Sequence, residues 1–239
     1  PEIHVFGLGC GGGQKDTRLL KLLAASGRNI SYTPCDVATA MVLVARQAAL
    51  TVVPVEKCFP FVCDLASADG LSASLFTPDA PLITFFGMIP NFEPQVILPK
   101  LASLVRSQDW LLFSANLAPG SDYAAGVEKI LPQYDNLPTR EWPLTFLLDL
   151  GVERSDGELR FEIEEDAGSG LRRVAANFHF TRPHRIEIET EYFEFAAGEV
   201  VQLFFSYRYT PERVRENLVR YGLEIVEQWI MPSEEEEGV

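Results

Sequence analysis

Residues 3–17 read IHVFGLGCGGGQKDT, an apolar run over Ile3–Leu8 that stops at Gly9 and passes through a glycine turn into a helical pattern. Leu19, Leu20, Leu22 and Leu23 recur at helical spacing over Asp16–Ser26, and Gly27 is a helix stop. Glycines between a strand and a helix permit positive φ and let the backbone approach a ligand closely. A tight turn, a dinucleotide site and a nucleoside site all use such a stretch, and the strict G-x-G-x-x-G phosphate fingerprint is absent. The chain downstream narrows the choice.

Ile30–Pro34 reads as a second strand, Val37–Ala49 as a second helix and Leu50–Val55 as a third strand. Pro81–Gly87 (PLITFFG) and Trp110–Ala115 (WLLFSA) are continuous apolar runs, the pattern of strands buried on both faces, with Pro94–Ser107 helical between them. Strands alternating with helices at this spacing predict a parallel, right-handedly wound α/β sheet. Residues 121 to 150 then read as helical, broken by Pro132, Pro138 and Pro143. From Glu158 to Tyr209 the segments LRFEIEE, RRVAANFHF, HRIEIETEYFEF and EVVQLFFSYRY alternate with period two, as antiparallel strands do. Thr210 caps a further helix with Pro211 at its first position, and Leu223–Met231 reads as a returning strand. The expected organisation is an α/β core at residues 1–119 and 209–239 with an inserted α+β subdomain at 120–208.

Composition excludes several classes. The 239 residues carry a formal charge of −14, a surface that repels phosphate backbones, so a nucleic-acid partner is not expected. No apolar run reaches the roughly 18 residues that cross a bilayer, so no membrane association is expected. Both ends read as trimmed: Pro1 opens almost directly on a strand, and Val239 follows the acidic run Glu234–Glu237. Cys10, Cys35, Cys58 and Cys63 with His4, His179 and His184 match no zinc spacing, so no metal is expected. Free, mostly buried thiols in a cytoplasmic protein fit better than a Cys58–Cys63 disulfide.

The second strand ends in YTPCD, where Asp36 is placed to accept both hydroxyls of a ribose. Asp64 follows the third strand, in a position to bind an adenine amino group. Open parallel sheets bind ligands at the carboxyl ends of their strands, near the switch point. The turn with Gly9 and Gly11, Asp36, Asp64 and the FFGMIPNF segment with Gly87 and Asn91 all belong to that edge.

The segments LGCGGGQKDTRLL, YTPCDVA, CDLA, FFGMIPNFEP, QYDN and AAGEVVQLFFSYRYTPE, in this order over essentially the whole chain, resemble the histidine Nα-methyltransferases of ergothioneine biosynthesis and their relatives. The resemblance implies a class I, Rossmann-like methyltransferase sheet, S-adenosylmethionine as cofactor and a substrate subdomain built partly from the insertion. It implies that Gly9 lies under the methionine part of the cofactor, that Lys15 lies near it, and that Asp36 and Asp64 hold its ribose and adenine. Leu65 stands where the family usually has Phe. Asn91 matches an asparagine that binds the acceptor's amino-acid head group. Tyr134 matches a tyrosine for the acceptor's carboxylate, with Tyr123 or Ser121 as the competing alignment. Ser206 matches a serine of the acceptor pocket.

The departures bear on the acceptor. Counting without gaps from Ala197–Glu199, the family's acidic residue that recognises imidazole falls on Phe204. A site lacking that carboxylate leaves the imidazole donor unpaired, which disfavours histidine. The glycine turn is one residue longer, around Asp16, and the stretch from Gly87 to Asn91 one shorter. The expectation is N-methylation of a small molecule, an amino acid or derivative other than histidine, with Asn91 and Tyr134 as positioning residues and no dedicated base. The rival expectation is a degenerate cofactor-binding or scaffold protein of the same fold. The oligomeric state is not legible.

Overall fold

In the computed structural model, residues 2–68, 81–232 and 237–238 are described, so Glu234–Glu236 of the acidic run lie outside the description. The chain divides into two compact units, residues 1–115 with 214–228, and residues 116–213 with 229–239.

The first unit is an α/β layer structure. Its strands are β1 (Glu2–Leu8), β2 (Asn29–Asp36), β3 (Phe61–Val62), β4 (Pro81–Phe86) and β5 (Trp110–Ser114), in the order β3-β2-β1-β4-β5 with all pairings parallel. Helices α1 (Gln14–Ala25), α2 (Thr39–Ala49) and α3 (Pro94–Leu104) alternate with the strands. The chain runs from β1 to β2 on one side and later enters β4 on the other, so the switch point lies at β1, where the glycine turn begins. Val5, Leu20, Ile30, Tyr32, Ala49 and Val53 form the core between β1, β2 and the helices that follow them. His4, between two polar neighbours, is satisfied there by Ser31 Oγ (2.9 Å) and Thr33 Oγ1 (3.1 Å), and burial holds its pKa below the ordinary histidine value.

Two strand expectations fail. Leu50–Val55 is not a strand: the amides of Val52 and Val53 donate back to Ala49 O at 2.8 and 2.9 Å, which winds the segment onto the end of α2. The third strand is instead Phe61–Val62, pairing with Cys35 and Asp36, so Asp64 still follows it. Leu223–Ile230 carries neither helix nor strand, and Met231–Pro232 (β12) pairs only with Glu237–Gly238 (β13) among the described residues. The four cysteines are free.

The second unit begins with β6 (Asn116–Leu117), which pairs with β13, and continues in α4 (Tyr123–Tyr134) and α5 (Leu137–Asp149). Asp122 and Asn136 cap these helices by accepting from Ala125 N and Thr139 N, each at 3.1 Å. Both helices accommodate the prolines expected to break them: Pro132 lies in the last turn of α4, Pro138 in the first turn of α5, and α5 continues through Pro143. β7 (Gly157–Asp166), β8 (Leu171–Phe180) and β11 (Val200–Arg208) form an antiparallel sheet in the order β11-β8-β7. β9 (His184–Ile188) and β10 (Glu191–Phe195) form a separate hairpin; α6 (Pro211–Arg220) follows β11 and from Val214 belongs to the first unit. Val174, Ala176, Phe178 and Phe180 of β8 alternate onto one face and pack against Ile130 and Leu147 of the helices.

Candidate active site

The glycine turn is built from backbone. Gly9, Gly11 and Gly13 have φ of 58°, 50° and 73°, the left-handed region that favours glycine. Cys10 N donates to Cys35 O at 2.9 Å, fastening the turn to the end of β2. Gly11 N donates to Asp36 Oδ2 and Ala38 N to Asp36 Oδ1, both at 3.0 Å. These two donors use two of the carboxylate's about four acceptor positions, so Asp36 keeps capacity for a diol. A Cβ built on Gly11 meets nothing within 4 Å, which leaves open space over this residue of the turn. At Gly13 a Cβ would lie 2.7 Å from Ala45 Cα, so this glycine lets α1 pack closely on α2. A turn that is open above Gly11 and anchored to a carboxylate with spare acceptors fits a nucleoside-bearing cofactor such as S-adenosylmethionine.

Asp64 is exposed at the head of its loop and accepts from Ala66 N at 2.9 Å. The Ser67 hydroxyl and then the Ala66 amide hold its carboxyl below the ordinary aspartate range. Lys100 of α3 steadies the same loop by donating to Ala66 O (2.6 Å) and Ala68 O (2.9 Å), while Leu65 turns inward and is buried. After β4, Gly87 takes a φ of 74° and its N–H donates to Ser114 Oγ at 2.8 Å. Lys15 Nζ would lie 3.0 Å from a Cβ on Gly87, so the lysine of the turn reaches the end of β4. Asn91 ends a single 3₁₀ turn, Ile89–Asn91, with an exposed side chain.

Two features of this edge escape the sequence reading. The Met88 side chain lies over Gly9, with Cγ 2.7 Å from a Cβ built there. Behind the turn, the buried Asp16 accepts from Tyr32 Oη and Thr84 Oγ1, both at 2.7 Å. The extra residue in the turn is the only hint of Asp16; its partners sit 16 and 68 positions away.

In the second unit, Tyr134, Phe204 and Ser206 come together. Tyr134 Oη donates to Ser206 Oγ at 3.1 Å and accepts from Arg208 Nη2 at 2.6 Å. The Phe204 ring stacks on Tyr134 at 6.0 Å and meets Trp142 edge-on at 5.5 Å. A β-bulge makes this possible. The register of β11 against β8 slips between Gln202 and Phe204, so Phe204 pairs with Ala176 and Ser206 with Val174, on the face that packs against α4 and α5. Regular pairing from Gln202 would turn both to the opposite face. Tyr123 is engaged otherwise: its hydroxyl donates to Arg208 O at 2.8 Å and accepts from Arg172 N at 2.6 Å, tying β11 to β8. Ser121 is exposed ahead of α4. Arg208, fully buried, and Trp142 were not anticipated from sequence.

Comparison with known proteins places the chain. A family model described as histidine-specific methyltransferase, SAM-dependent, matches residues 1–236. No curated protein sequence matches. Among solved structures, PKMT2 from Rickettsia typhi is 17% identical over 64% of this chain and 29% of its own, with a TM-score of 0.40. The CcbJ methyltransferase from Streptomyces caelestis is 13% identical over 93% of this chain and 78% of its own, with a TM-score of 0.43. CalS10, an amino pentose methyltransferase from Micromonospora echinaspora, is 14% identical over 99% of this chain and 81% of its own, with a TM-score of 0.37. The chain spans 29%, 45% and 41% of the first three structures it matches. With a parallel α/β sheet, a glycine turn at its switch point and a family match over residues 1–236, the chain belongs to the S-adenosylmethionine-dependent, histidine-specific methyltransferase family.

Proposed function

We propose that this protein transfers a methyl group from S-adenosylmethionine to the amine of a small amino acid or derivative with an aromatic or apolar side chain, and not to histidine. The observation that carries this reading is Phe204, which stacks on Tyr134 beside Ser206 where the family's resemblance calls for a carboxylate. A charged imidazole donor would face an aromatic ring there with no acceptor in its place, at a cost of several kcal/mol, whereas an apolar ring or chain gains contact area.

When bound, S-adenosylmethionine supplies an electrophilic methyl group. The protein's own task is to hold, orient and exclude water, because methyl transfer needs little acid–base chemistry. In this reading Gly9, Gly11 and Gly87 give the backbone its close approach, Asp36 takes the ribose, Asp64 and Leu65 line the adenine, and Lys15 stands at the methionine end. Asn91 and Tyr134 are positioning residues for the acceptor, and Phe204 with Ser206 forms its wall. Tyr134 is preferred to Tyr123 because the Tyr123 hydroxyl joins two backbone groups, whereas that of Tyr134 pairs with the Ser206 and Arg208 side chains and its ring stacks on Phe204. The acceptor amine arrives neutral, with its proton lost to solvent.

A methyl-transfer assay with aromatic, aliphatic and imidazole-bearing amino acids tests the reading. Turnover on aromatic or apolar amines without turnover on histidine is the expected result. Comparable kcat/KM on histidine would overturn it. Calorimetric binding of S-adenosylmethionine with no turnover on any amine would favour the degenerate, cofactor-binding reading instead.

A further inference from the structure

Behind the glycine turn lies a buried carboxylate for which the reaction has no direct use. Asp16 stands in the first turn of α1, three residues after Gly13, and is 3% exposed. Its Oδ2 accepts from Tyr32 Oη on β2 and its Oδ1 from Thr84 Oγ1 on β4, each at 2.7 Å. β1 runs between those two strands, so the carboxylate bridges across the strand from which the turn springs. The space for it is made by Gly7. A Cβ at Gly7 would lie 2.3 Å from Asp16 Oδ2 and 3.0 Å from Tyr32 Oη. Gly7 is in register with Thr84, and its φ is not positive, so this glycine serves room rather than backbone conformation. The N-terminus of α1 has no side-chain cap, and the partial positive charge of its amides favours an anion in the first turn.

We propose that Asp16 is a positioning residue for the cofactor turn: its ionised carboxylate clamps the first turn of α1 to β2 and β4, and residues 9–13 hold S-adenosylmethionine well only while that clamp is charged. This rests on the reading of the glycine turn as the cofactor's seat. The carboxylate with two hydroxyl donors makes two charge-assisted hydrogen bonds. Protonation turns one of its oxygens into a donor, and one strand loses its grip.

The groups facing the carboxylate set its titration. Burial pushes it above the ordinary aspartate range, while Tyr32, Thr84 and the neighbouring Lys15 pull it back. The charge is felt at the turn itself: the Cys10 thiol is pushed up to about 12 by burial, by Asp36 and by Asp16. Tyr32 is pushed up by burial and by Asp16, so it stays a donor. Asp16 therefore passes between charged and neutral forms at a higher pH than an exposed aspartate, and the clamp strengthens as pH rises through that point.

Calorimetric titration of S-adenosylmethionine and of S-adenosylhomocysteine, from the most acid pH at which the chain stays folded up to neutrality, tests this on the intact chain with no dependence on activity. In the unsubstituted protein both affinities rise about tenfold across the range. Asp16→Asn binds both at least about tenfold more weakly at the upper end, with affinities flat in pH. Thr84→Val keeps the charge but removes one donor, so the midpoint of the pH profile moves upward, a shift that loss of general packing does not produce. Thermal melts confirm that each variant is folded. An Asp16→Asn protein that binds like the parent, or a Thr84→Val profile with an unmoved midpoint, overturns the proposal. A loss confined to S-adenosylmethionine overturns it too, assigning the carboxylate to the sulfonium charge rather than to the turn. If the unsubstituted protein binds neither ligand, the cofactor reading itself fails and the proposal falls with it.

Discussion

The two units build their candidate recognition surfaces from different materials. At the edge of the first unit the polar groups are mostly backbone: amides at Gly11, Ala38 and Gly87, held by Asp36 and Ser114. In the second unit the corresponding cluster is all side chain, Tyr134, Trp142, Phe204, Ser206 and Arg208, on a sheet face and the two helices above it. A backbone surface depends on φ, ψ and close approach, so it recognises what every member of a fold binds. A side-chain surface can be exchanged residue by residue, and under the proposed function this exchange alters the acceptor preference while the cofactor stays.

That contrast breaks first at Gly13. Gly13→Val places a branched side chain 2.7 Å from Ala45 Cα at positive φ, and is expected to cost about 3 kcal/mol or more in urea denaturation. A variant as stable as the parent would deny the close approach of α1 and α2. Asp36→Ala removes the anchor of Gly11 N and the proposed ribose acceptor together. Cofactor binding by calorimetry should weaken by roughly 2–3 kcal/mol, about 30- to 150-fold, with the circular dichroism unchanged.

The second unit should respond more locally. Tyr123→Phe leaves Arg172 N and Arg208 O without their shared hydroxyl, for a loss of about 1–3 kcal/mol in denaturant stability. Asp156 gives a pH-dependent case. Burial raises its carboxyl, but the Glu153 amide, the Arg182 guanidinium and His184 outweigh that, and the net shift is downward. A depressed folded pKa means stability that is full above the unfolded value of about 3.9 and is lost as pH falls through the folded value. Asp156→Asn should therefore cost about 1–2 kcal/mol near neutrality, and its melting curve should converge on the parent's in acid. Trp142→Ala is the smallest change, within about 0.5 kcal/mol in stability because the ring is 63% exposed, yet it should raise the acceptor's KM. An unchanged KM would remove Trp142 from the acceptor surface.

The sheet was legible because its strands read as apolar runs, but of PLITFFG and WLLFSA only the first is largely buried. WLLFSA forms β5, last in the sheet order, where Trp110 is exposed and the rest of the strand is half-buried, not covered on both faces as its apolar run predicts. Leu50–Val55 misled because Thr51, Val52 and Val53 have strand propensity while their amides turn back onto α2, a choice made by tertiary context. Leu223–Ile230 misled in the same way: an apolar segment becomes a strand only where a partner edge awaits it. Asp36 stands at a strand end that pattern alone could locate, whereas Asp64 follows Phe61–Val62, a two-residue strand that the pattern did not mark. Asp16 could not be found that way, since its meaning lies in Tyr32 and Thr84 on other strands. The orientation of Phe204 was equally hidden, because one slipped residue in β11 decides which face it occupies.

The exposure of Trp142 has a practical corollary for spectroscopy. The chain has three tryptophans, and Trp110, Trp142 and Trp229 are 58%, 63% and 62% exposed. Their emission in the native protein should already resemble that of indole in water, so unfolding barely shifts its wavelength. Trp142 meets the Phe204 ring edge-on, which makes it a fluorophore that a small aromatic compound settling on that ring would cover. A blue shift on titration that vanishes in the Trp142→Phe protein would give an acceptor screen needing neither label nor radioactivity.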